Sequence, residues 1–112
     1  MQRLNRENAK AWILETCGEG WLNLVDIAYD NIPEGLIITE VFQKWGALVI
    51  RYEGENEIFE ELVNNIKFIS EHCCEICGKS ARQAILDGWE TAVCRVHFEL
   101  SDAREKYNPW EN

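Results

Sequence analysis

A chain of 112 residues carrying twenty acidic and eleven basic side chains has a formal net charge of −9. That length makes one domain with a modest core, and so acidic a surface repels phosphate backbones, which argues against a direct nucleic-acid reader. No apolar run approaches the roughly 20 residues needed to span a bilayer. The start Met1-Gln2-Arg3-Leu4-Asn5 offers no apolar segment of a signal peptide, so a soluble, cytoplasmic protein is expected.

The first predicted element is a helix from Asn5 to Thr16, with Ala9, Trp12 and Ile13 as its apolar stripe and Gly18 and Gly20 ending it. A second helix is predicted from Trp21 to Asn31, burying Leu24, Val25, Ile27 and Ala28, and stopped by Pro33 and Gly35. Leu36 to Phe42 and Ala47 to Glu53 are rich in β-branched and aromatic residues and read as strands, joined as a hairpin through Gln43-Lys44-Trp45-Gly46. In the second strand Leu48, Ile50 and Tyr52 alternate with Val49, Arg51 and Glu53, the pattern of a half-buried antiparallel strand. Gly54 breaks it.

A longer amphipathic helix follows from about Glu55 to Glu71, with Ile58, Phe59, Leu62, Val63, Ile66 and Ile69 as one core stripe. Its first turns gather Glu55, Glu57, Glu60 and Glu61, where the helix dipole stabilises negative charge. With Glu53 they form the densest same-sign cluster of the chain, the candidate contact for a basic partner. Residues 1–72 carry thirteen acidic and six basic side chains, residues 73–112 seven and five, so the acidity belongs mostly to the N-terminal part.

The C-terminal part carries the clearest chemistry. The sequence reads Cys74-Glu75-Ile76-Cys77-Gly78 and then Cys94-Arg95-Val96-His97, with sixteen residues between Cys77 and Cys94. Each pair has a two-residue spacer, which lets two side chains of a tight turn or first helical turn meet one ion. Three thiolates and an imidazole are the donors of closed, tetrahedral, structural Zn²⁺ sites. Gly78 suits a knuckle. Asp87-Gly88 marks a hairpin turn between strands Ala81–Leu86 and Trp89–Val93, and a helix from about Arg95 to Tyr107 completes the knuckle–hairpin–helix order of a treble-clef-like zinc finger. Cys73 and His72 compete as ligands; the two-residue spacer followed by Gly78 favours Cys74. Cys17 has no partner at metal spacing and is expected to be a small buried residue. Five cysteines, an odd number at metal rather than disulfide spacing, fit a reducing compartment.

The expected architecture is therefore α+β: a single domain, 1–112, with a hairpin-and-helix core over 1–72 and a zinc-finger-like module over 73–107. Catalytic sets are thin. The chain lacks the His-x-Glu plus Pro-Cys-x-x-Cys pattern of zinc deaminases and the His-Glu-x-x-His helix of metalloproteases. Its histidines are His72 and His97 alone, and if His97 holds metal no general base near neutral pH remains. A non-enzymatic role is expected. Lys79, Arg82 and Arg95 form at most a small basic patch.

The run Ile38-Thr39-Glu40-Val41, then Lys44-Trp45-Gly46-Ala47-Leu48 and Arg51-Tyr52, then Cys74, Cys77-Gly78, Trp89, Thr91, Cys94 and His97, resembles a group of short acidic bacterial and prophage proteins. These have a Lys-aromatic-Gly-x-Leu hairpin ahead of a C-terminal treble-clef-like zinc finger. The resemblance spans roughly residues 20 to 98, and the tail from Ser101 and the extra Cys73 depart from it. Some similar proteins are immunity proteins to toxins of contact-dependent inhibition systems. The resemblance implies a cytoplasmic immunity protein or antitoxin that covers a basic toxin domain, such as a nuclease. The alternative is a phage- or bacteria-encoded zinc-finger adaptor without catalytic activity.

Overall fold

The computed structural model describes residues 2–111 and is α+β, with four helices and two small antiparallel sheets. Helix α1 spans Arg6–Thr16 and begins where the Asn5 side chain accepts the Asn8 amide proton at 2.8 Å, satisfying one of the free donors of the first turn. Helix α2 spans Leu22–Asp30, and Asp26 and Asp30 on it pair with Lys10 (2.9 Å) and Arg6 (2.7 Å) of α1. Strands β1 (Ile37–Lys44) and β2 (Ala47–Glu53) pair in register from Lys44↔Ala47 outward, with an irregularity between Ile38 and Glu40. Helix α3 spans Glu57–Ser70 and is capped by Asn56, whose side chain accepts the Phe59 amide proton at 2.9 Å.

The hairpin packs against α1 and α3, and α2 packs against α1 and α3. This buries Ala9, Ile13, Trp21, Val25, Ile38, Leu48, Phe59 and Ile66 in one cluster. Leu48 and Ile50 are buried, Tyr52 is half-buried and stacks edge-on against Phe59 at 5.0 Å, while Arg51 and Glu53 face outward, as the alternation of β2 requires. The C-terminal part is built from β3 (Arg82–Leu86), β4 (Trp89–Val93), α4 (Arg95–Leu100) and β5 (Lys106–Tyr107), with β3 central in the order β4-β3-β5. Its own small cluster holds Cys74, Ala81, Ala84, Val93, Cys94 and Phe98.

Several expectations need correction. Ile58 is 81 % exposed and Ile69 is exposed, so the core stripe of α3 is the narrower set Phe59, Ile66 and the half-buried Leu62 and Val63. The helix carries more apolar residues than one face can bury. Trp12 stands half outside because Ala9 and Ile13, one turn apart, take the inward line of α1. Ile27 and Cys17 are only half-buried. Strand β1 runs on to Lys44, leaving Trp45-Gly46 as the whole turn, both with positive φ (52° and 74°) as a tight two-residue hairpin demands. Asp87-Gly88 repeats this geometry with φ of 50° and 85°.

Helix α4 stops at Leu100 rather than reaching Tyr107. The Ser101 hydroxyl accepts the Ala103 amide proton at 3.2 Å, a local bond that competes with helix continuation. The chain then returns as β5 against β3, with Ile85 opposite Tyr107. Trp110 folds back onto Phe98 with ring centroids 5.6 Å apart.

The packing sets a stability ranking for α3. Phe59→Ala should lower unfolding free energy by about 3–5 kcal/mol, and half-buried Leu62→Ala by about 2 kcal/mol. Ile58→Ala should stay within about 0.5 kcal/mol. Denaturant melts of the three variants test the ranking; an Ile58 variant as damaged as the Phe59 variant would reverse the assigned face.

Candidate metal centre and docking faces

Cys74 to Gly78 form a knuckle. Gly78 takes φ of 84°, which brings its amide to the Cys74 carbonyl at 2.8 Å, and the Cys74 amide donates to the Lys79 carbonyl at 2.7 Å. Cys94 is the N-cap of α4, its sulfur accepting the His97 amide proton at 3.4 Å, so the helix start carries His97 back over Cys94. The hairpin β3–β4 sets the spacing between the two ligand pairs.

The four predicted ligand atoms of Cys74, Cys77, Cys94 and His97 lie within 4.8 Å of one another. Cys77 Sγ and Cys94 Sγ are 3.8 Å apart, and His97 Nδ1 lies 3.8 Å from Cys74 Sγ and 3.2 Å from Cys94 Sγ. A tetrahedral ion with metal–sulfur bonds near 2.3 Å puts its corners roughly 3.8 Å apart, so the donor set fits a metal ion in spacing as well as in chemistry. Cys74 and Cys94 are buried, His97 is half-buried and Cys77 is exposed. Burial opposes ionisation of Cys94, yet hydrogen bonds from the His97 backbone and ring and from the neighbouring thiols outweigh it and hold the group down to about 7. A thiol so placed is ready to give up its proton to a cation.

The competing residues fall outside this cluster. His72 binds the Phe68 carbonyl through Nδ1 at 3.0 Å on the last turn of α3. The Cys73 thiol points at the carbonyls of Gly20 (3.6 Å) and Gly78 (3.4 Å), and burial raises its pKa. Burial likewise pushes Cys17 up to about 11.

The knuckle also docks onto the N-terminal core. The Gly20 amide donates to the Glu75 carbonyl at 2.9 Å, the Trp21 indole N–H donates to the Cys73 carbonyl at 2.9 Å, and the Glu75 amide donates to the Ala92 carbonyl at 3.0 Å. Glu75 is therefore carried inward, with 7 % of its surface exposed. Burial pushes its carboxyl up to about 7, although a long 3.4 Å hydrogen bond from Gln43 and one from Ala92 pull the other way.

A raised folded-state pKa means the native protein holds the proton that the unfolded chain has already released above the ordinary 4.5. The stability this confers is complete below the unfolded value and is lost as pH rises toward 7. From about pH 6 to pH 8 the metal-loaded protein should lose about 1–2 kcal/mol that Glu75→Gln does not lose. Parallel melts across that window check it; identical slopes for the two proteins would contradict the assignment.

The five acidic positions singled out from the sequence, Glu53, Glu55, Glu57, Glu60 and Glu61, are all exposed. They lie where β2 leaves the hairpin and α3 begins. A second face, which sequence reasoning missed, lies at the turn end of the same hairpin. Trp45 is 72 % and Trp89 74 % exposed, with Ile85 and Tyr107 exposed beside them. Shallow hollows of about 320 and 330 Å³ run between these side chains, edged by Glu71 and Glu90. The available signal was the turn chemistry: an aromatic inside or just after a two-residue hairpin turn projects beyond the sheet and has nothing to pack on.

These features define an α+β protein with a Cys₃His cluster able to hold a metal ion. No protein-family model matches the chain, and neither the curated proteins nor the solved structures compared with it contain a match. No helix among the described residues is long and apolar enough to cross a membrane.

Proposed function

We propose that this chain is a zinc-stabilised, non-catalytic binding protein of the cytoplasm that neutralises a basic protein, acting as an immunity protein or antitoxin against a toxin domain such as a nuclease. The observation that carries the reading is the exposed tryptophan face, Trp45 and Trp89 with Ile85 and Tyr107, edged by Glu71 and Glu90 with Lys44 over the Trp45 ring, on a chain of net charge −9. Tryptophan and tyrosine dominate the energetic centres of protein interfaces, and acidic rims select and attract basic partners. The resemblance to short prophage and bacterial immunity-like proteins points the same way. Zinc is the ion best suited to three thiolates and one imidazole at tetrahedral spacing, and four protein donors leave it no open position for chemistry. Its role is to hold the knuckle and hairpin that present Trp89.

In this reading the Glu53, Glu55, Glu57, Glu60 and Glu61 corner steers a basic partner, while the tryptophans anchor it. Glu57→Lys with Glu60→Lys should slow association by roughly tenfold at low salt and flatten its salt dependence. Trp89→Ala should instead speed dissociation by about 30-fold or more. Co-expression with a basic toxin domain encoded beside this gene tests the function directly. A stoichiometric complex and restored growth are expected; loss of both would discard immunity in favour of the zinc-finger adaptor.

A further inference from the structure

Beside the tryptophan face lies a hollow of about 510 Å³ lined by Trp12, Phe42, Gln43, Glu75, Trp89 and the edge of α1 at Thr16–Cys17. We propose that this hollow is the specificity pocket for one arginine side chain of the basic partner, its guanidinium lying between the Trp12 and Trp89 indoles and facing the Glu75 carboxylate. The proposal rests on the binding function above and names the chemical group that this surface recognises.

The lining comes from four separate elements. Trp12 stands out from α1 instead of joining the core, Phe42 and Gln43 belong to β1, Glu75 to the knuckle, and Trp89 opens β4. A surface brought together from both halves of the fold depends on their docking at Gly20 and Trp21, so it exists only in the intact protein.

The chemistry of the walls selects a cation. Glu75 is more than nine-tenths buried, and its carboxyl accepts a hydrogen bond from the Ala92 backbone and a long 3.4 Å one from Gln43, whose amide also donates to the Glu90 carbonyl at 2.9 Å. A carboxylate has about four lone-pair sites, so it can still accept the fork of a guanidinium, and the Gln43 carbonyl oxygen is able to accept. No Lys or Arg of this chain lines the hollow. Three other rings carry the chain's own cations: Lys44 lies 4.6 Å from the Trp45 centroid, Arg51 5.1 Å from Phe42 and Arg82 5.8 Å from Trp110. Among the described residues no cation lies over Trp12 or Trp89. The Arg51 contact already occupies Phe42, which leaves the two indoles as the stacking walls. An indole face attracts a cation more strongly than other rings do.

Arginine fits better than lysine. Its guanidinium is planar, stacks on aromatic faces, offers a fork of donors to a carboxylate, and is less strongly hydrated than an ammonium, so bringing it against the buried Glu75 costs less.

The test uses the full metal-loaded chain at pH 8, where Glu75 is ionised, ¹⁵N-labelled and titrated with the tripeptide amide Gly-Arg-Gly to roughly 10 mM, a range that resolves millimolar dissociation constants. Saturable shifts of the Trp12 and Trp89 indole N–H and the Gln43 side-chain amide are expected, with the Trp21 and Trp110 indoles unmoved. The neutral isostere Gly-citrulline-Gly should produce none, and Gly-Lys-Gly should bind at least threefold more weakly. Glu75→Gln keeps the shape of the side chain and removes a buried charge, so it should fold at least as well as the parent while weakening Gly-Arg-Gly tenfold or more. Trp12→Ala should weaken it similarly. Equal shifts with citrulline, an unaffected Glu75→Gln, or shifts confined to Trp45 or to residues 53–61 would each overturn the pocket. If a toxin partner binds with unchanged affinity to Glu75→Gln and Trp12→Ala, the pocket fails while the binding function stands. If arginine binds in the hollow and no basic partner protein is ever retained, the binding function fails instead.

Discussion

Replacing Cys74 or Cys94 with serine should cost this protein its metal ion and unfold much of the region from Cys74 to Phe98. Besides the cysteines, the cluster they belong to buries two alanines, Ala81 and Ala84, with Val93 and Phe98, and Leu86 and Trp110 pack half-buried against it. Burying that little apolar surface contributes only a few kcal/mol at about 25 cal/mol per Å², less than the backbone entropy of ordering some twenty-five residues at about 1 kcal/mol each. Zinc binding to comparable Cys/His sets contributes about 10–16 kcal/mol at neutral pH, so an ion held by these four donors would be the main stabilising term of this region. Cys94→Ser keeps an N-cap for α4, because a serine hydroxyl accepts the amide proton that the Cys94 sulfur accepts from His97, so its cost reports the lost ligand.

Metal content should fall from one ion per chain to near zero, and the melting temperature by 15 °C or more, on the order of 4 °C per kcal/mol for a chain of this size. Amide exchange should rise first between Cys74 and Phe98, and chelation of the parent should reproduce it. Cys17→Ser and Cys73→Ser, whose sulfurs lie outside the cluster, should keep the ion. A metal-free protein with unchanged melting would sink the whole account. Lowering the pH should release the metal as protons compete for the thiolates and the imidazole.

The ligand set was legible in the sequence because two-residue spacers and a glycine after the first pair are local devices that tertiary packing rarely rearranges. The same holds for Asp87-Gly88 and for the alternation of Leu48, Ile50 and Tyr52. What the sequence left open lies where more apolar side chains exist than faces to bury them. On α3, Ile58 and Ile69 fit the helical period as well as Phe59 and Ile66 do, and only the position of β2 decides between them. Trp12 looked like core for the same reason and proved to be a wall of a surface hollow. Glu75 was read as a spacer between ligands; its burial follows from where Gly20 and Ala92 hold the knuckle, a contact between residues far apart in sequence. The return of the tail as β5 depends on the free edge of β3 and has no signature in the two residues that pair.

Gly20 is where the backbones of the two halves approach most tightly, and Gly20→Ala should be among the most damaging single-methyl additions in the chain. A Cβ there would overlap the Cys74 carbonyl oxygen and press on the Gly78 amide nitrogen at 2.6 Å and the Glu75 carbonyl carbon at 2.8 Å. All three neighbours are backbone of the knuckle, pinned by the Gly78-to-Cys74 bond at 2.8 Å and by the ligands themselves, so none can swing aside as a side chain would. Either the knuckle lifts away, losing the 2.9 Å bond from Gly20 to Glu75 and the one from Trp21 to Cys73, or the ligand geometry distorts.

Overpacking against fixed backbone costs about 3 kcal/mol or more, a fall of roughly 10 °C in melting temperature. Gly35→Ala is the contrasting control: it needs an unfavourable positive φ, of 93°, which Gly20 does not, but meets nothing within 4 Å, so it should cost only about 1–2 kcal/mol. The mechanism predicts more than a lower melting point. Lifting the knuckle opens the floor of the Glu75 hollow, so Gly20→Ala should shift the Trp12 and Trp89 indole resonances and weaken metal retention, whereas Gly35→Ala should leave both alone. Equal damage from the two variants, with metal affinity unchanged in each, would mean that the contact at Gly20 does not hold the knuckle and that the other bonds between the halves, such as Gln83 to Gly46 and Gln43 to Glu90, carry the docking.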